Sequence, residues 1–429
     1  MYWEQTIQHA THTDLGLRRK NNEDAAAVHV CTDHDEWRRR GHLFVVADGM
    51  GGHAVGELAS RMAIETVPHA FLKSQEGDAR TALLKSIEEA NAAIHARGSQ
   101  NPDFLHMGTT CDALALTPKG VIVAHVGDSR VYRVRRDRID QLTFDHSLQW
   151  EMERLHGTSS VDLGHHKNVI TRSLGPEETV RVDIEGPYPV MPGDIFVLCS
   201  DGLSNQVQDP EIGAVVRELS PHQSAQLLIH LANIRGGPDN STVIVARVGD
   251  LPANVPPPAP EPEPVDDRDS LGWGWLGGFW GVSMTLFAGL AIMLLKDPVV
   301  GAVIASLAAI GLVGLLIAAV RYRHKMRQAI AQDDDSQTLY SRPHRTATVL
   351  SSKELLERML AIDSELERAA REDGWNVDWD KHAEELDLAR EALKARRFAR
   401  GVRDVSRSID LIMSQLPRGG SAPKSPDRK

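Results

Sequence analysis

His42-Leu43-Phe44-Val45-Val46-Ala47-Asp48-Gly49-Met50-Gly51-Gly52-His53 is the stretch on which the reading of the chain turns. Five uncharged apolar residues in a row, two of them β-branched, have the pattern of a strand buried on both faces. The run stops at a carboxylate followed by three glycines in four residues. Such a sequence makes a rigid mount with open space beside it, because glycines let the chain turn sharply and bring its carbonyls close to a ligand. A metal ion bound to phosphate would fit there. On this segment alone, a strand followed by an ordinary glycine-rich turn reads equally well.

The same device recurs along the chain. Gly193-Asp194 introduces Ile195-Phe196-Val197-Leu198-Cys199, which ends in Ser200-Asp201-Gly202, a second apolar run closed by a carboxylate and a glycine. Asp239-Asn240 stands at the entrance to the apolar residues 241–248. Gly127-Asp128-Ser129-Arg130 separates two strand-like segments, residues 121–126 and 131–135, where a hairpin turn is the ordinary reading. Strand ends meet along one edge of a sheet, so Asp48, Asp201 and Asp239 could converge despite their separation in sequence. Clustered carboxylates repel one another unless a cation neutralises them. Oxygen ligands without an accompanying Cys or His pair favour Mg2+ or Mn2+. Two such ions can activate a bridging water and clamp a phosphoryl group.

The composition allows this and excludes other classes. The chain has 429 residues, 41% hydrophobic and 25% charged, enough for two or three domains. A net charge of −11, from 48 Lys+Arg against 59 Asp+Glu, argues against a nucleic-acid binder. Cys31, Cys111 and Cys199 lie far apart without metal-ligand spacing and read as reduced thiols of a cytosolic domain. The N-terminal residues lack a basic region followed by an apolar one, so no secretory signal is expected ahead of the first domain. Leu58, Met62, Val67 and Phe71, then Leu83, Leu84, Ile87, Ala90 and Ile94, recur at helical spacing and predict two helices packed on a sheet, with Pro68 kinking or ending the first.

Taken in order, the segments 19–24, 48–53, Gly108-Thr109-Thr110, 127–130, Ser200-Asp201-Gly202 and Asp239-Asn240 resemble the metal-dependent type 2C protein phosphatases, in particular their bacterial branch. The resemblance spans residues 8–248. It implies an α+β fold, a β-sandwich of two antiparallel sheets flanked by helices, with metals at one end of the sandwich, rather than carboxylates along a single sheet edge. It implies that Asp48 bridges two Mn2+ or Mg2+ ions with the Gly49 carbonyl on one, that Asp201 and Asp239 complete the other, and that Asp24, next to Glu23, is a direct or water-mediated ligand. Asp128 and Asp201 match the pair that holds a third metal. Arg19 matches the residue that grips the substrate phosphate, while a metal-bridging hydroxide attacks phosphorus. The function so implied is a phosphoserine/phosphothreonine phosphatase acting on phosphorylated proteins and opposing a Ser/Thr kinase. A catalytically silent scaffold of the same fold is the alternative, although such a protein has no need for mutually repelling carboxylates. The histidine that animal members carry near the bridging aspartate has no certain equivalent; His53 is close in sequence but reads as a loop-packing residue. Asp145-His146-Ser147 and Thr171-Arg172-Ser173-Leu174-Gly175 read as structural, with a mobile flap between them beside the site.

Beyond the phosphatase-like domain, residues 1–250, the character changes. Residues 251–270 are a Pro-rich acidic linker. Residues 271–295 and 298–320 are each long and apolar enough to cross a bilayer. Only Lys296 and Asp297 lie between them, which predicts a transmembrane helical hairpin, with Trp273, Trp275 and Trp280 near one interface. Arg321, Arg323, Lys325 and Arg327 mark the cytoplasmic side. Two spans place both soluble parts in the cytoplasm, anchored to the lipid bilayer of the cell membrane. The basic and flexible residues 321–349 lead to a helical bundle over residues 350–417. Its expected features are a capping box at Ser351 and Glu354, a helix break at Gly374, and apolar repeats that can dock a partner, self-associate or equally well serve as a stabilising appendage. Residues 418–429 read as a disordered tail.

Overall fold

The computed structural model describes residues 7–52, 54–104, 106–156, 169–249, 273–333 and 343–416. His53, most of the expected flap, the acidic linker, residues 334–342 and the tail lie outside the described residues. Two compact units result: residues 1–258 together with 340–429, and residues 259–339.

The first unit is built on two antiparallel sheets. One has the order β1 (Gln8–Asp14), β11 (Ser241–Arg247), β10 (Ile195–Cys199), β7 (Arg130–Arg135), β8 (Arg138–Gln141) and β12 (Arg345–Thr348). The other runs β2 (Asp24–His29), β3 (His42–Met50), β5 (Cys111–Thr117), β6 (Gly120–Val126) and β9 (Asp183–Tyr188), with the short β4 (Gly108–Thr109) pairing with the end of β3. The run that opened the sequence reading is β3. It is apolar at successive positions because both faces are covered. Phe44 and Val46 meet Phe196, Leu198, Ile244 and Ala246 between the sheets. Leu43, Val45 and Ala47 pack outward against α2 (Ala54–Lys73) and α3 (Ala79–Ser99). Strand alternation divides one hydrophobic run between two cores, and burying each large side chain contributes roughly 1.5–3 kcal/mol.

On the outer face of the first sheet, Ile195, Val197, Val243 and Val245 pack against α6 (Asp209–Glu218) and α7 (Pro221–Ile234). Helix α2 continues through Pro68 to Lys73, so the proline does not end it. The Gly127–Arg130 segment is not a hairpin turn either: β6 lies in one sheet and β7 in the other, so the chain crosses the sandwich there. The remaining short helices of this part are α1 (His34–Arg39), α4 (Leu148–His156) and α5 (Asp201–Ser204).

The C-terminal residues are part of this same unit. Strand β12 pairs with the edge strand β8, with Arg345 opposite Gln141 and Thr346 opposite Asp140. Then come α10 (Ser352–Glu372), α11 (Trp379–Lys394) and α12 (Phe398–Met413). The Ser351/Glu354 capping box is present at the start of α10. Leu355, Leu356, Met359, Val402, Val405 and Ile409 join the core formed by α6, α7 and the first sheet, so these apolar stripes are covered within the chain, as the stabilising-appendage reading has it. In the second unit, α8 (Trp273–Leu295) and α9 (Pro298–Asp333) contain two stretches, Gly277–Leu295 and Pro298–Leu316, long and apolar enough to cross a membrane. The Asp297 carboxylate accepts from the amides of Val299 and Val300 and caps α9. Gly301 lets the two helices touch, since a Cβ there would overlap the backbone of Met293.

Candidate active site

The seven positions singled out in the sequence gather at one end of the sandwich. Asp48, near the end of β3, is the register partner of Asp24 at the start of β2. Asp201 opens α5 directly after β10, Asp239 precedes β11, and Asp128 sits in the crossing from β6 to β7. Two of these carboxylates belong to one sheet, two extend strands of the other, and Asp128 lies between. A single sheet edge would not have joined them.

A cavity of about 470 Å³ opens here, lined by Arg18, Arg19, Lys20, Asn21, Glu23, Asp48, Gly49, Met50, Gly51, Gly52, Asp128, Ile170, Asp201 and Asp239. Asp24 lies behind that wall, 8% exposed. The Arg19 guanidinium reaches into the cavity mouth and donates to Asp239 Oδ2 at 2.7 Å. Gly49 is required beside Asp48 because a Cβ there would overlap the Gly56 carbonyl oxygen at the start of α2.

Hydroxyls and amides fix the carboxylates from behind. Asp48 N–H donates to Thr110 Oγ1 at 2.9 Å, while the Asp48 carbonyl accepts from Thr110 N–H at 2.8 Å and from Thr109 Oγ1 at 2.9 Å. Thr110 Oγ1 in turn meets Ser129 Oγ, next to Asp128, at 2.8 Å. Ser200 Oγ donates to Asp24 Oδ2 at 2.7 Å and accepts from Thr242 N–H at 2.9 Å, tying the two sheets together. Asn240 accepts from Glu23 N–H and donates to the Leu15 and Asn21 carbonyls, holding the basic loop beside the cavity. Ser129, Ser200 and Asn240 adjoin Asp128, Asp201 and Asp239 in sequence, whereas Thr109 and Thr110 reach Asp48 from 61 and 62 residues away.

The electrostatics of the cluster are those of a cation site. Burial, then the neighbouring Asp201 and Asp239, push the Asp24 acid up to about 7 against the Ser200 and Thr242 hydrogen bonds. Burial and then Asp239 raise Asp201 to about 6. Asp48 is raised well above the ordinary carboxylate range by burial followed by Asp24, Asp201 and Asp128. Asp128 is raised in the same way, by burial and then Asp201 and Asp145. Asp24 Oδ1 and Asp128 Oδ1 are buried with no hydrogen-bond partner. Buried carboxylate oxygens left unpaired are costly, and a divalent ion is the partner that hard oxygen donors accept. The donor set therefore fits Mn2+ or Mg2+.

The other sequence candidates have structural partners. Asp145 receives a forked pair of bonds from Arg130, and His146 Nδ1 accepts from Gly127 N–H at 3.0 Å, so the Asp-His-Ser run braces the crossing loop and forms no relay. Arg172 donates to Asp183 Oδ1 at 2.7 Å. All three cysteines are free and buried. Burial and then Glu36 push the Cys31 thiol up to about 12, and burial raises the other two as well, which keeps them protonated and unreactive.

Comparison with known proteins agrees with this architecture. The family described as "Protein phosphatase 2C" matches residues 18–228. Serine/threonine phosphatase stp of Listeria innocua is 36% identical over 240 residues, 54% of this chain and 92% of that protein. Protein phosphatase PhpP of Streptococcus pneumoniae is 34% identical over 245 residues, 56% of this chain and 96% of its own. The solved structure of the S. agalactiae serine/threonine phosphatase superposes with a TM-score of 0.51 at 35% identity, covering 56% of this chain and 99% of that one. The chain belongs to the protein phosphatase 2C family. Its enzymatic class is that of the serine/threonine protein phosphatases, hydrolases of phosphoric monoesters that use Mn2+ or Mg2+.

Proposed function

We propose that this chain is a membrane-anchored phosphoserine/phosphothreonine protein phosphatase whose carboxylate cluster holds the catalytic metals. The convergence of Asp24, Asp48, Asp128 and Asp201, two of whose buried carboxylate oxygens have no hydrogen-bond partner, is the observation that carries this reading. Asp48 and the Gly49 carbonyl would hold two ions between them, Asp201 and Asp239 would complete one, and Asp24 would act from behind. Asp128 with Asp201 would hold a third. Bound there, such ions supply a hydroxide nucleophile near neutral pH and take up charge developing on the phosphoryl oxygens.

The chain's own groups bind and orient the phosphoester. Arg19 presents a planar fork suited to two phosphate oxygens, and Asp239 holds that fork at the cavity mouth. Arg18 and Lys20 add positive charge on the same rim. The Thr109–Thr110–Ser129 hydroxyls keep Asp48 from moving as charge shifts in the site, so positioning precedes substrate arrival.

The anchoring reading draws support from the connectivity. The two apolar helices are separated by Lys296 and Asp297 alone and together would form a hairpin through the bilayer. Residues on both sides of that hairpin fold into one compact unit, with β12 paired to β8. An even number of spans is the arrangement that permits this pairing. The basic residues among 321–327 support a cytoplasmic location for the shared side, where phosphorylated proteins and an opposing Ser/Thr kinase would be met.

The test is phosphate release from a phosphothreonine peptide by the full chain in detergent, after EDTA treatment and after Mn2+ is restored. Turnover that requires the metal supports the enzyme. Phosphopeptide binding without turnover by folded, Mn2+-loaded protein would instead support a silent scaffold.

A further inference from the structure

Strand β12 reaches helix α4 as well as the sheet edge. Arg345, its first residue, lies over the Trp150 ring of α4 at 3.7 Å and donates to Glu153 Oε2 of the same helix at 2.6 Å. Trp150 is 7% exposed. Its ring also meets Phe144 edge-on at 5.2 Å and lies 5.7 Å from the Arg130 guanidinium, two residues from Asp128. His344, just before the strand, adds an edge contact to Phe144 and a 2.6 Å bond to Glu185 of β9.

Helix α4 in turn is tied to the residues that face the cavity. Ser147 and Ile170 form an isolated bridge, and Leu148 N–H donates to the Val169 carbonyl at 2.9 Å. Thr171 Oγ1 donates to Glu151 of α4 at 2.8 Å, and Thr171 N–H donates to the His146 carbonyl. Ile170, held between these bonds, lines the cavity alongside Asp128 and Asp201. A continuous set of contacts therefore runs from Arg345 through Trp150 and α4 to Ile170. The Arg345–Glu153 ion pair is half-exposed and contributes little alone. The guanidinium stacked on a nearly buried indole is the stronger link.

We infer that Arg345, in the strand that follows the hairpin, is a positioning residue for protein substrates: through Trp150 and Glu153 it holds the Ile170 wall of the catalytic cavity. The inference rests on the cavity at Asp48 and Asp201 being the phosphatase site. A peptide extends from the phosphate across the cavity wall, whereas a small aryl phosphate engages only the Arg19 end. Loss of Arg345 therefore acts on peptide KM and leaves aryl phosphate turnover in place. Lysine at this position keeps the charge but not the planar stack, so it restores only part of the effect.

The experiment measures kcat and KM for p-nitrophenyl phosphate and a phosphothreonine peptide with the full chain in detergent. It compares Arg345→Ala, Arg345→Lys, Glu153→Ala and the Arg345→Ala/Glu153→Ala double variant, with thermal unfolding recorded for each. The expected result is a three- to tenfold rise in peptide KM for Arg345→Ala, a smaller rise for Arg345→Lys, and aryl phosphate constants within twofold of the parent. Adding Glu153→Ala to Arg345→Ala changes peptide KM by less than twofold, because Glu153 has already lost its partner when Arg345 is absent. An unchanged peptide KM in folded Arg345→Ala, or equal loss on both substrates, overturns the inference. Absence of aryl phosphate turnover in the parent would instead contradict the site assignment. Should Arg345→Ala fail to fold, the folded Arg345→Lys variant, which loses the planar stack on Trp150, decides: a raised peptide KM with aryl phosphate constants within twofold of the parent supports the inference, and an unchanged peptide KM overturns it.

Discussion

Replacing Asp24 by Asn tests the electrostatic character of the cluster apart from catalysis. Asp24 is buried opposite Asp48, with one oxygen bonded to Ser200 and the other without a partner. Its acid is raised from 3.8 to about 7, chiefly by burial and then by Asp201 and Asp239. Because the folded value lies above the unfolded one, the stability this group lends is present in full below about pH 4. It is lost as pH rises to about 7. At about 1.4 kcal/mol per unit the full shift corresponds to at most roughly 4 kcal/mol, and because Asp48 and Asp201 bear part of the same repulsion the expected effect is about 2–4 kcal/mol. The asparagine carbonyl can still accept from Ser200, so the variant removes charge with little loss of packing. Urea unfolding in EDTA at pH 7.5 should show Asp24→Asn more stable than the parent by about 2–4 kcal/mol, and by about 1 kcal/mol at pH 4.5. Mn2+ should then stabilise the parent more than the variant. A metal-free variant equal to or weaker than the parent at pH 7.5 would refute the claim that these buried carboxylates oppose folding until a cation neutralises them.

Arg19→Ala should lower kcat/KM for a phosphothreonine peptide about 10- to 100-fold, equivalent to roughly 1.4–2.8 kcal/mol, with Arg19→Lys recovering part of it; steady-state kinetics at saturating Mn2+ provide the check. Gly49→Ala must displace either β3 or the start of α2, because its Cβ overlaps the Gly56 carbonyl oxygen. A loss of about 1–3 kcal/mol in urea unfolding is expected, with turnover falling as the Asp48 backbone shifts. For the hairpin, protease added outside sealed spheroplasts should leave the phosphatase domain intact, and its cleavage from outside would contradict the proposed topology.

Much of the architecture was legible because strand burial leaves a periodic trace. The apolar runs that became β3, β10 and β11 are continuous in sequence since each has a core on both faces, and each runs into a motif carboxylate at one end. The crossing at Asp128 was not legible from local pattern, because a Gly-Asp pair between two strands describes a hairpin as well as a passage between sheets. Pro68 shows the same limit, since packing of Val67 and Phe71 into the core keeps α2 helical past a residue that disfavours helix. The C-terminal helices announced themselves by capping and apolar spacing. Their docking did not, because a stripe such as Val402, Val405 and Ile409 states that a face is covered without naming what covers it. Residues 345–348 pair with β8, and four residues with two threonines are too short a run to mark a strand in sequence.

The central claim is that Asp48 and its neighbours form a divalent-metal site. Calorimetric titration of Mn2+ into the EDTA-treated, dialysed chain tests it most directly, with Asp48→Asn measured alongside. The account predicts at least two bound ions in the parent and loss of that binding in folded Asp48→Asn, since Asp48 is the residue proposed to serve both. Absence of Mn2+ binding to the folded parent, or the same stoichiometry in the variant, would contradict it.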